Sequence, residues 1–157
     1  MDALFQMQSN ELSTTTQKDK LFKDAERQWN TLLSEKGVPG RKVDREIYKS
    51  ILYNLEIRKV YLDSKLSLDK FSSIVGTNTT YLSNTINKYF GCNFKQLINA
   101  YRIGYAKTLL DGGDCSVREL YSLCGFASKS VFYVAFSRIL DMSPLQYLSR
   151  RRHPVEI

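Results

Sequence analysis

At 157 residues, the chain is long enough for one domain, or for a small domain with an appendage. Its composition, 43% hydrophobic and 25% charged, is that of a soluble globular protein, and no apolar run approaches the roughly 18 residues that a membrane span requires. Residues 46–157 hold fifteen Lys and Arg against nine Asp and Glu (+6), while residues 1–45 hold eight against seven (+1), giving the net charge of +7. This uneven excess favours a polyanionic partner.

The N-terminal part of the chain predicts a lead-in followed by a helix. The first ten residues, MDALFQMQSN, lack the basic start and the apolar stretch of a signal peptide, so a cytoplasmic protein is expected. Residues 1–17 are polar and have no helical or strand period, which predicts a flexible lead-in. An amphipathic helix is predicted over Lys18–Lys36, because apolar residues recur there every three or four positions. These positions are Leu21, Phe22, Ala25, Trp29, Leu32 and Leu33.

Two roles are open for this helix. In the first, it is structural: it packs on the domain that follows or remains from a truncated linker. In the second, it is functional: it forms a dimer contact or a signal-transmitting segment, with Phe22, Trp29 and Leu33 as an apolar seam. The sequence GVPGRK after it predicts a linker, so residues 18–43 are interpreted as helix plus linker. A second helix is predicted from Asp44, an N-cap candidate, to Leu62.

A degenerate repeat of about fifty residues occupies the rest of the chain. Its copies are Leu68–Leu97 and Val117–Leu148, in which Gly76 maps to Gly125 at an offset of 49 and the later apolar positions map at an offset of 50. Each copy consists of a short predicted helix, a turn with glycine, a second helix and a closing turn. That order is typical of a helix-turn-helix.

Capping residues and glycines predict where the helices of both copies begin and end. No strand alternation of useful length occurs, so the predicted fold is all-α: two helix-turn-helix subdomains joined by a long central helix and preceded by an amphipathic N-terminal helix. The predicted helices are Leu68–Val75 (capped by Ser67 or Asp69, ended by Gly76), Thr79–Phe90 (capped by Asn78, ended by Gly91), Asn93 to about Leu110 (ended by Gly112 and Gly113), Val117–Leu123 (capped by Ser116), Lys129–Leu140 (capped by Ser128) and Leu145–Arg151 (begun by Ser143 and Pro144).

Four stretches within the repeat carry a family resemblance. They are VGTNTTYLSNTIN, FGCNFKQLINAYRIGYAKTLL, CGFASKSVFYVAF and MSPLQYL, in this order. The chain here resembles the DNA-binding domain of the AraC/XylS family of bacterial transcription regulators, over about Glu46–Arg152. GTNTTYLSNTIN is similar to regulators of the Bacteroidetes type, in which such domains often stand at the C-terminal ends of larger sensors. Residues 44–152 are accordingly assigned to this domain, and residues 153–157 to a tail.

The resemblance implies a way of binding DNA. In the family, the second helix of each unit enters the major groove, which here means Thr79–Phe90 and Lys129–Leu140. The two helices are expected on one face of DNA about one helical turn apart, roughly 34 Å. The residues that the resemblance and the helical period together predict to contact DNA are Thr79, Thr80, Ser83, Asn84, Asn87 and Lys88 in the first unit, and Ser128, Lys129, Ser130, Tyr133, Val134, Ser137 and Arg138 in the second.

The helical period also separates these residues from a core stripe in each helix. The predicted core residues are Leu82, Ile86 and Tyr89 in the first helix, and Phe132, Phe136 and Leu140 in the second. On the exposed face, Asn84 has the side chain to grip adenine N6 and N7 as a bidentate pair. Lys88, Lys129 and Arg138 are better placed for phosphates.

The chain departs from the family pattern at three positions. The family often has Arg where Asn84 and Val134 stand, and Val134 offers only apolar contact, for example to a thymine methyl group. The second unit is therefore expected to contribute position and orientation more than sequence readout. Asp141 replaces a glycine that is usual in the family, although Asp tolerates the left-handed backbone better than most residues.

No pattern in the sequence points to catalysis or to a metal. A Ser/His/Asp set, a paired-carboxylate cleft and a phosphate-cradling glycine loop are all absent, so neither an enzyme nor a cofactor is expected. Cys92, Cys115 and Cys124 are odd in number and lack a C-x-x-C spacing, so they are interpreted as reduced and mostly buried. His153 is interpreted as a solvated tail residue. Residues 150–152, all Arg, either neutralise phosphates or keep the C-terminus soluble.

The predicted function is that of a sequence-specific DNA-binding transcription regulator, or the output domain of one, that inserts two helices into successive major grooves. The alternative is a protein-interaction module of the same fold, with weak or non-specific DNA binding and an N-terminal helix that binds a partner. Besides double-stranded DNA, the candidate partners are RNA polymerase and a second copy of the chain bound through residues 18–36. No membrane segment is expected.

Overall fold

The computed structural model describes residues 14–36, 42–113 and 116–152, and within these ranges the fold is all-α, as predicted. Outside the described residues lie residues 37–41 of the predicted linker, Cys115, His153 and the lead-in residues 1–13, while Lys42 of the linker is the first residue of a helix. The elements are α1 (Thr14–Lys36), α2 (Lys42–Glu56), a 3-10 turn η1 (Val60–Leu62), α3 (Leu68–Val75), α4 (Thr79–Thr85), a π-helical turn π1 (Ile86–Phe90), α5 (Phe94–Gly112), α6 (Val117–Leu123), α7 (Lys129–Leu140) and α8 (Pro144–Arg152).

The chain divides into two compact units, each made of two stretches of sequence. The N-terminal unit draws its described residues from Met1–Val60 and Leu66–Leu97, and the C-terminal unit draws them from Tyr61–Lys65 and Ile98–Ile157. Helix α5 is continuous across this division, with its first turn in the N-terminal unit and the remainder in the C-terminal unit. The predicted long central helix is thus confirmed as an element.

Helix α1 belongs to the core of the N-terminal unit. Leu21, Ala25 and Trp29 are buried on its inner face, and the Trp29 ring lies 5.5 Å from the Tyr48 ring of α2 and 4.5 Å from the Tyr89 ring of π1, between ring centroids. Of the two roles left open for this helix, packing on the domain is the one that the structure has. Since only 3% of the Trp29 surface is exposed, the predicted seam does not offer this ring to a partner, and the side chain of Leu33 lies outside the described residues.

Two predicted boundaries near the N-terminus are wrong. Helix α1 begins at Thr14 rather than Lys18, because residues 14–17 carry no apolar side chain and so give no amphipathic signal. The division predicted between residues 43 and 44 does not separate packing units, because α1 and α2 share one core.

Helix α2 ends six residues before its predicted end at Leu62. After Glu56, the backbone N–H groups of Ile57 and Arg58 both donate to the Tyr53 carbonyl, and Lys59 then adopts a left-handed φ of 51°. The chain continues as the 3-10 turn η1. Neither Gly nor Pro marks this break, so nothing local in the sequence predicts it.

Helices α5 and α8 begin with the same reciprocal cap. The Gln96 backbone N–H donates to Asn93 Oδ1 at 2.8 Å, and the Asn93 N–H donates back to Gln96 Oε1 at 3.0 Å. Fifty residues later, Gln146 and Ser143 exchange the corresponding bonds at 3.1 and 2.9 Å. Both predicted starts are confirmed, and each helix has two of its otherwise unpaired N–H groups satisfied.

The C-terminal unit is built around an apolar core and includes residues 61–65. The predicted core residues Phe132 and Phe136 are fully buried there, and Leu140 packs against them. Arg102 of α5 donates from Nε to the Tyr61 carbonyl at 2.7 Å and from Nη2 to the Asp63 carbonyl at 2.9 Å. The residues 61–65 are therefore attached to this unit by charge-assisted hydrogen bonds.

Asp111, in the last turn of α5, ties α8 to the same unit. It accepts a hydrogen bond from the Tyr147 hydroxyl at 2.6 Å and forms an ion pair with Arg151. Burial, and then the bond to Asp111, raise the pKa of Tyr147 to about 12. Arg151 is thus partnered within the chain, which weakens the interpretation that it serves phosphates.

The cysteines within the described residues match their predicted state. Cys92 and Cys124 are both buried and free. Burial raises the pKa of the Cys92 thiol, so this group stays protonated and unreactive near neutral pH.

Tyr48 is expected to make the N-terminal unit sensitive to alkaline pH. Burial raises its pKa to about 12, while its hydroxyl donates to Gln28 Oε1 at 3.1 Å. Since the pKa of Tyr48 in the folded state lies above its unfolded value near 10, this group stabilises the fold fully below about pH 10 and loses that contribution as the pH rises to about 12. The contribution to the free energy of unfolding is at most about 2–3 kcal/mol. Urea unfolding measured across this pH range should show that the free energy of unfolding falls less in Tyr48→Phe than in the native chain. Equal falls in the two proteins would contradict the assignment.

Candidate nucleic-acid interface

The first helix-turn-helix is formed by α3, a tight turn and α4. The Ser67 side chain accepts a hydrogen bond from the Lys70 N–H and begins α3, and Gly76 ends it with a left-handed φ of 89°. Asn78 then accepts from the Tyr81 N–H at 2.8 Å and begins α4. The predicted caps of Ser67 and Asn78 are confirmed, and only three residues separate the two helices.

The predicted core stripe of this second helix is also confirmed. Leu82 and Ile86 are fully buried, and Tyr89 is nearly so. The α-helix that is predicted to continue to Phe90 instead widens into the π-helical turn π1 after Thr85. π-Helical turns are rare, and they occur often at functional sites.

The opposite face of α4 and π1 is polar and mostly open to solvent. Thr80, Asn84, Asn87 and Lys88 are exposed, while Thr79 and Ser83 are half-buried. The Asn87 amide donates to the Ser83 carbonyl at 3.0 Å, and Lys88 Nζ lies 5.2 Å from the centre of the Tyr89 ring. Asn84 makes no side-chain hydrogen bond within the described part of the chain, so both its donor and its acceptor face solvent.

The second helix-turn-helix repeats this construction in α6 and α7. Gly125 takes the place of Gly76 with a nearly identical φ of 88°, and Ser128 caps α7 by accepting from the Val131 N–H at 3.3 Å. Ser116 has the extended backbone of a cap, but its side chain makes no cap hydrogen bond. Asp141 ends α7 with a left-handed φ of 56°, so it takes the conformation of the glycine that it replaces.

The exposed face of α7 is more apolar than that of α4. Val134 is 59% exposed, and Val131, which sequence reasoning did not select, is 49% exposed on the same face. Lys129, Ser130, Ser137 and Arg138 are exposed around them, and Ser128 is half-buried. The three-residue spacing of the two valines is the signal that was available for Val131, because positions three apart share a helix face.

Tyr133 differs from its predicted place on the open face. Its ring is half-buried, lies 5.7 Å from the Phe132 ring and packs against the core of the C-terminal unit. Lys129 Nζ sits 5.7 Å from the centre of the Tyr133 ring. The tyrosine therefore supports a basic residue at the edge of the face rather than standing at its centre.

Comparison with known proteins agrees with this architecture. A family model described as a helix-turn-helix domain matches residues 71–150, about half of the chain. The melibiose operon regulatory protein of Escherichia coli strain K12 is 33% identical over 92 residues, which cover 57% of this chain and 30% of that protein. The C-terminal domain of AraT, a response regulator from Geobacillus stearothermophilus, superimposes with a TM-score of 0.59 at 25% identity, covering 71% of this chain and 88% of that one.

This chain belongs to the AraC/XylS family. The fold is also that of an AraC-type DNA-binding domain from Chromobacterium violaceum, with a TM-score of 0.52 at 24% identity over 57% of this chain and 80% of that one. The match spans less than a third of the length of the melibiose regulator. This AraC/XylS chain thus corresponds to only part of that relative.

The second helices of the two units, which are α4 with π1 in the first unit and α7 in the second, are the predicted reading helices. Positions fifty residues apart occupy corresponding places on them and match in exposure: Thr80 and Ser130, Asn84 and Val134, Asn87 and Ser137, Lys88 and Arg138. The structure therefore places the predicted residues on one face within each unit, Tyr133 excepted. Whether each of them touches DNA stays a prediction.

The described residues carry neither a metal site nor a membrane span. No group of three or more His, Cys, Asp or Glu within them is arranged to hold a metal ion. No helix among them is both long enough and apolar enough to cross a membrane.

Proposed function

We propose that the chain binds specific double-stranded DNA sequences by inserting α4 with π1, and α7, into successive major grooves, and that it regulates transcription in this way. The observation that carries the proposal is the matched design of the two helices. Each is held by a buried apolar stripe and presents an open face that no described part of its own unit covers. The net charge of +7 supplies the attraction to the phosphate backbone.

The two faces are suited to different kinds of readout. Asn84 has a free amide at the centre of the first face, where a bidentate contact to adenine is the natural use of its donor and acceptor. At the corresponding place on α7, Val134 and Val131 form an apolar pair that suits thymine methyl groups. Lys88, Lys129 and Arg138 lie toward the ends of these faces and suit phosphates.

Titration against DNA tests the proposal as a whole. Sites are first selected from random duplexes with the native chain, and binding to the selected site and to a scrambled duplex is then followed by fluorescence anisotropy at several salt concentrations. We expect selective binding whose log affinity falls linearly with log salt. Equal affinity for both duplexes would contradict sequence-specific binding.

Asn84→Ala is expected to relax sequence preference at a single base step, by about 1–3 kcal/mol of discrimination, because it removes one bidentate base contact. Competition titrations with single-base variants of the selected site measure this. Lys88→Ala serves as the contrasting control, since loss of a phosphate contact should weaken all sequences alike and reduce the salt slope by about one. An Asn84→Ala protein that keeps the native preference at every step would remove Asn84 from the readout.

Contacts with RNA polymerase and with a second copy of the chain are further proposals about the whole protein. Family membership alone supports the first. The second loses part of its basis, because Trp29 of the predicted seam is buried inside its own unit. Sedimentation of the chain over a concentration series tests it, and a strict monomer would remove residues 18–36 as a dimer contact.

A further inference from the structure

Asp44 links the start of α2 to the first reading helix. The residue lies in the first turn of α2 and is only 5% exposed. Its Oδ1 accepts a hydrogen bond from the Tyr81 hydroxyl, and its Oδ2 accepts one from the Tyr89 hydroxyl at 2.7 Å. The predicted role of Asp44 as an N-cap is therefore wrong, because α2 begins two residues earlier. Both carboxylate oxygens of Asp44 instead bind side chains that are distant in sequence, since Tyr81 and Tyr89 follow it by 37 and 45 residues.

The two tyrosines hold the reading helix at two points. Tyr81 lies in α4 and Tyr89 in π1, eight residues and about 12 Å apart along the helix axis. In a regular α-helix, residues eight apart point about 80° away from each other. The wider hydrogen-bonded ring of a π turn moves the later residue back around the axis, toward the side of Tyr81. Two attachments to one carboxylate restrict both sliding and rotation of the helix.

Each attachment is itself supported. The Tyr81 backbone N–H is bonded to the Asn78 cap, and the Tyr81 carbonyl accepts from Thr85 Oγ1 at 2.9 Å. The Tyr89 ring packs against Trp29 of α1. Because Tyr81 stands between exposed Thr80 and exposed Asn84 along the chain, any rotation about this anchor would move the residues that face the groove.

The second unit has no counterpart of this arrangement among the described residues. The position that corresponds to Tyr81 is Val131, whose side chain is exposed, and the position that corresponds to Tyr89 is Ile139. The Tyr–Asp hydrogen bond of that unit is exposed and joins Tyr147 to Asp111, so it ties down α8 rather than the reading helix α7.

We infer that Asp44 is a positioning residue for sequence readout, which fixes the rotation of the first reading helix through the Tyr81 and Tyr89 hydroxyls. This inference rests on the proposed function, because readout of bases is what the positioning serves. Base recognition tolerates only small errors, about 0.5 Å and 10–20° in the placement of the reading side chains. The first unit carries the amide side chains Asn84 and Asn87 on its exposed face, and it is also the unit in which the reading helix is anchored.

Tyr81→Phe is the first test, because it removes one hydroxyl and leaves the ring and the Asp44–Tyr89 bond in place. We expect the ratio of affinities for the selected and scrambled duplexes to fall about tenfold, within the range that one base contact is worth. Affinity for the scrambled duplex should stay within about twofold, because phosphate contacts need less exact placement. Asp44→Asn, which keeps the size of the side chain but removes its charge, should show the same pattern.

Hydrogen exchange provides a readout that does not depend on DNA. In the free protein, we expect the amides of residues 82–88 to exchange about tenfold faster in Tyr81→Phe than in the native chain, while the amides of α7 keep their rates. The matched control is Tyr147→Phe, which removes a Tyr–Asp hydrogen bond from the other unit. It should change neither the selectivity nor the exchange of residues 82–88.

The outcomes separate this inference from the proposed function. Faster exchange with native selectivity would make the Asp44 bonds structural only and overturn the inference. A loss of selectivity in Tyr81→Phe that Asp44→Asn does not share would mean that the hydroxyl itself touches DNA, and would overturn the role of Asp44. If the native chain prefers no sequence, the proposed function fails. If the amides of residues 82–88 exchange at native rates in both Tyr81→Phe and Asp44→Asn, the anchoring itself is overturned.

Discussion

Gly125→Ala is expected to destabilise the C-terminal unit by about 2–5 kcal/mol. Gly125 has a φ of 88°, and a left-handed backbone costs about 1–2 kcal/mol for a residue with a Cβ. A Cβ at this position would also overlap the Tyr61 carbonyl oxygen and lie 2.9 Å from Leu62 Cα. These are backbone atoms that Arg102 holds in place, so the overpacking adds about 1–3 kcal/mol. Urea unfolding of the variant measures the sum.

The repeat itself offers a matched control for this substitution. Gly76 occupies the corresponding turn with a φ of 89°, but a Cβ built there would meet no atom within 4 Å. Gly76→Ala should therefore show the conformational cost alone, about 1–2 kcal/mol. If both variants lose the same stability, the close approach of residues 61–65 to Gly125 contributes nothing.

Trp29→Ala is expected to cost the N-terminal unit about 3–5 kcal/mol of unfolding free energy. The side chain is buried between α1 and α2, and its ring faces those of Tyr48 and Tyr89, so truncation leaves a cavity beside these two tyrosine rings. A whole domain is usually stable by only about 5–15 kcal/mol. Thermal unfolding followed by circular dichroism should show the loss as a clear fall in the transition temperature.

Phe22→Ala is the control for Trp29→Ala. Phe22 is half-buried on the same helix, with its ring 6.0 Å from the Tyr53 ring, so its truncation should cost only about 1 kcal/mol. If Trp29→Ala unfolds at the temperature of the native chain, α1 does not belong to the core of this unit and the predicted boundary at residue 44 is restored.

The local parts of this fold follow from the sequence because their causes are local. Ser67, Asn78 and Ser128 each bond an N–H three residues ahead, and Gly76 and Asp141 take the left-handed backbone that ends a helix. Such signals lie within a few residues of their effect. The repeat then gives the order of the elements, and the apolar period gives the buried stripes.

The parts that the sequence does not predict depend on residues far apart. Asp44 has the side chain of an N-cap, and nothing near it shows that its partners are Tyr81 and Tyr89. The break at Lys59 has no Gly or Pro, and the docking of α1 depends on the Trp29 contact with a ring sixty residues away. In the candidate site, the helical period of the sequence predicts Tyr133 on the open face. The period does not show that a ring of this size can pack back against the core, which is where Tyr133 lies.

The route of residues 61–65 makes the chain difficult to divide. The polypeptide leaves the N-terminal unit after Val60, contributes five residues to the C-terminal unit and returns at Leu66. A C-terminal fragment that begins at any position between the repeats would lack residues 61–65, which belong to the C-terminal unit and supply the Tyr61 and Asp63 carbonyls that Arg102 binds. The second copy of the repeat thus depends on a segment that precedes the first copy in the sequence, so it is not expected to be excised or transferred as an autonomous unit.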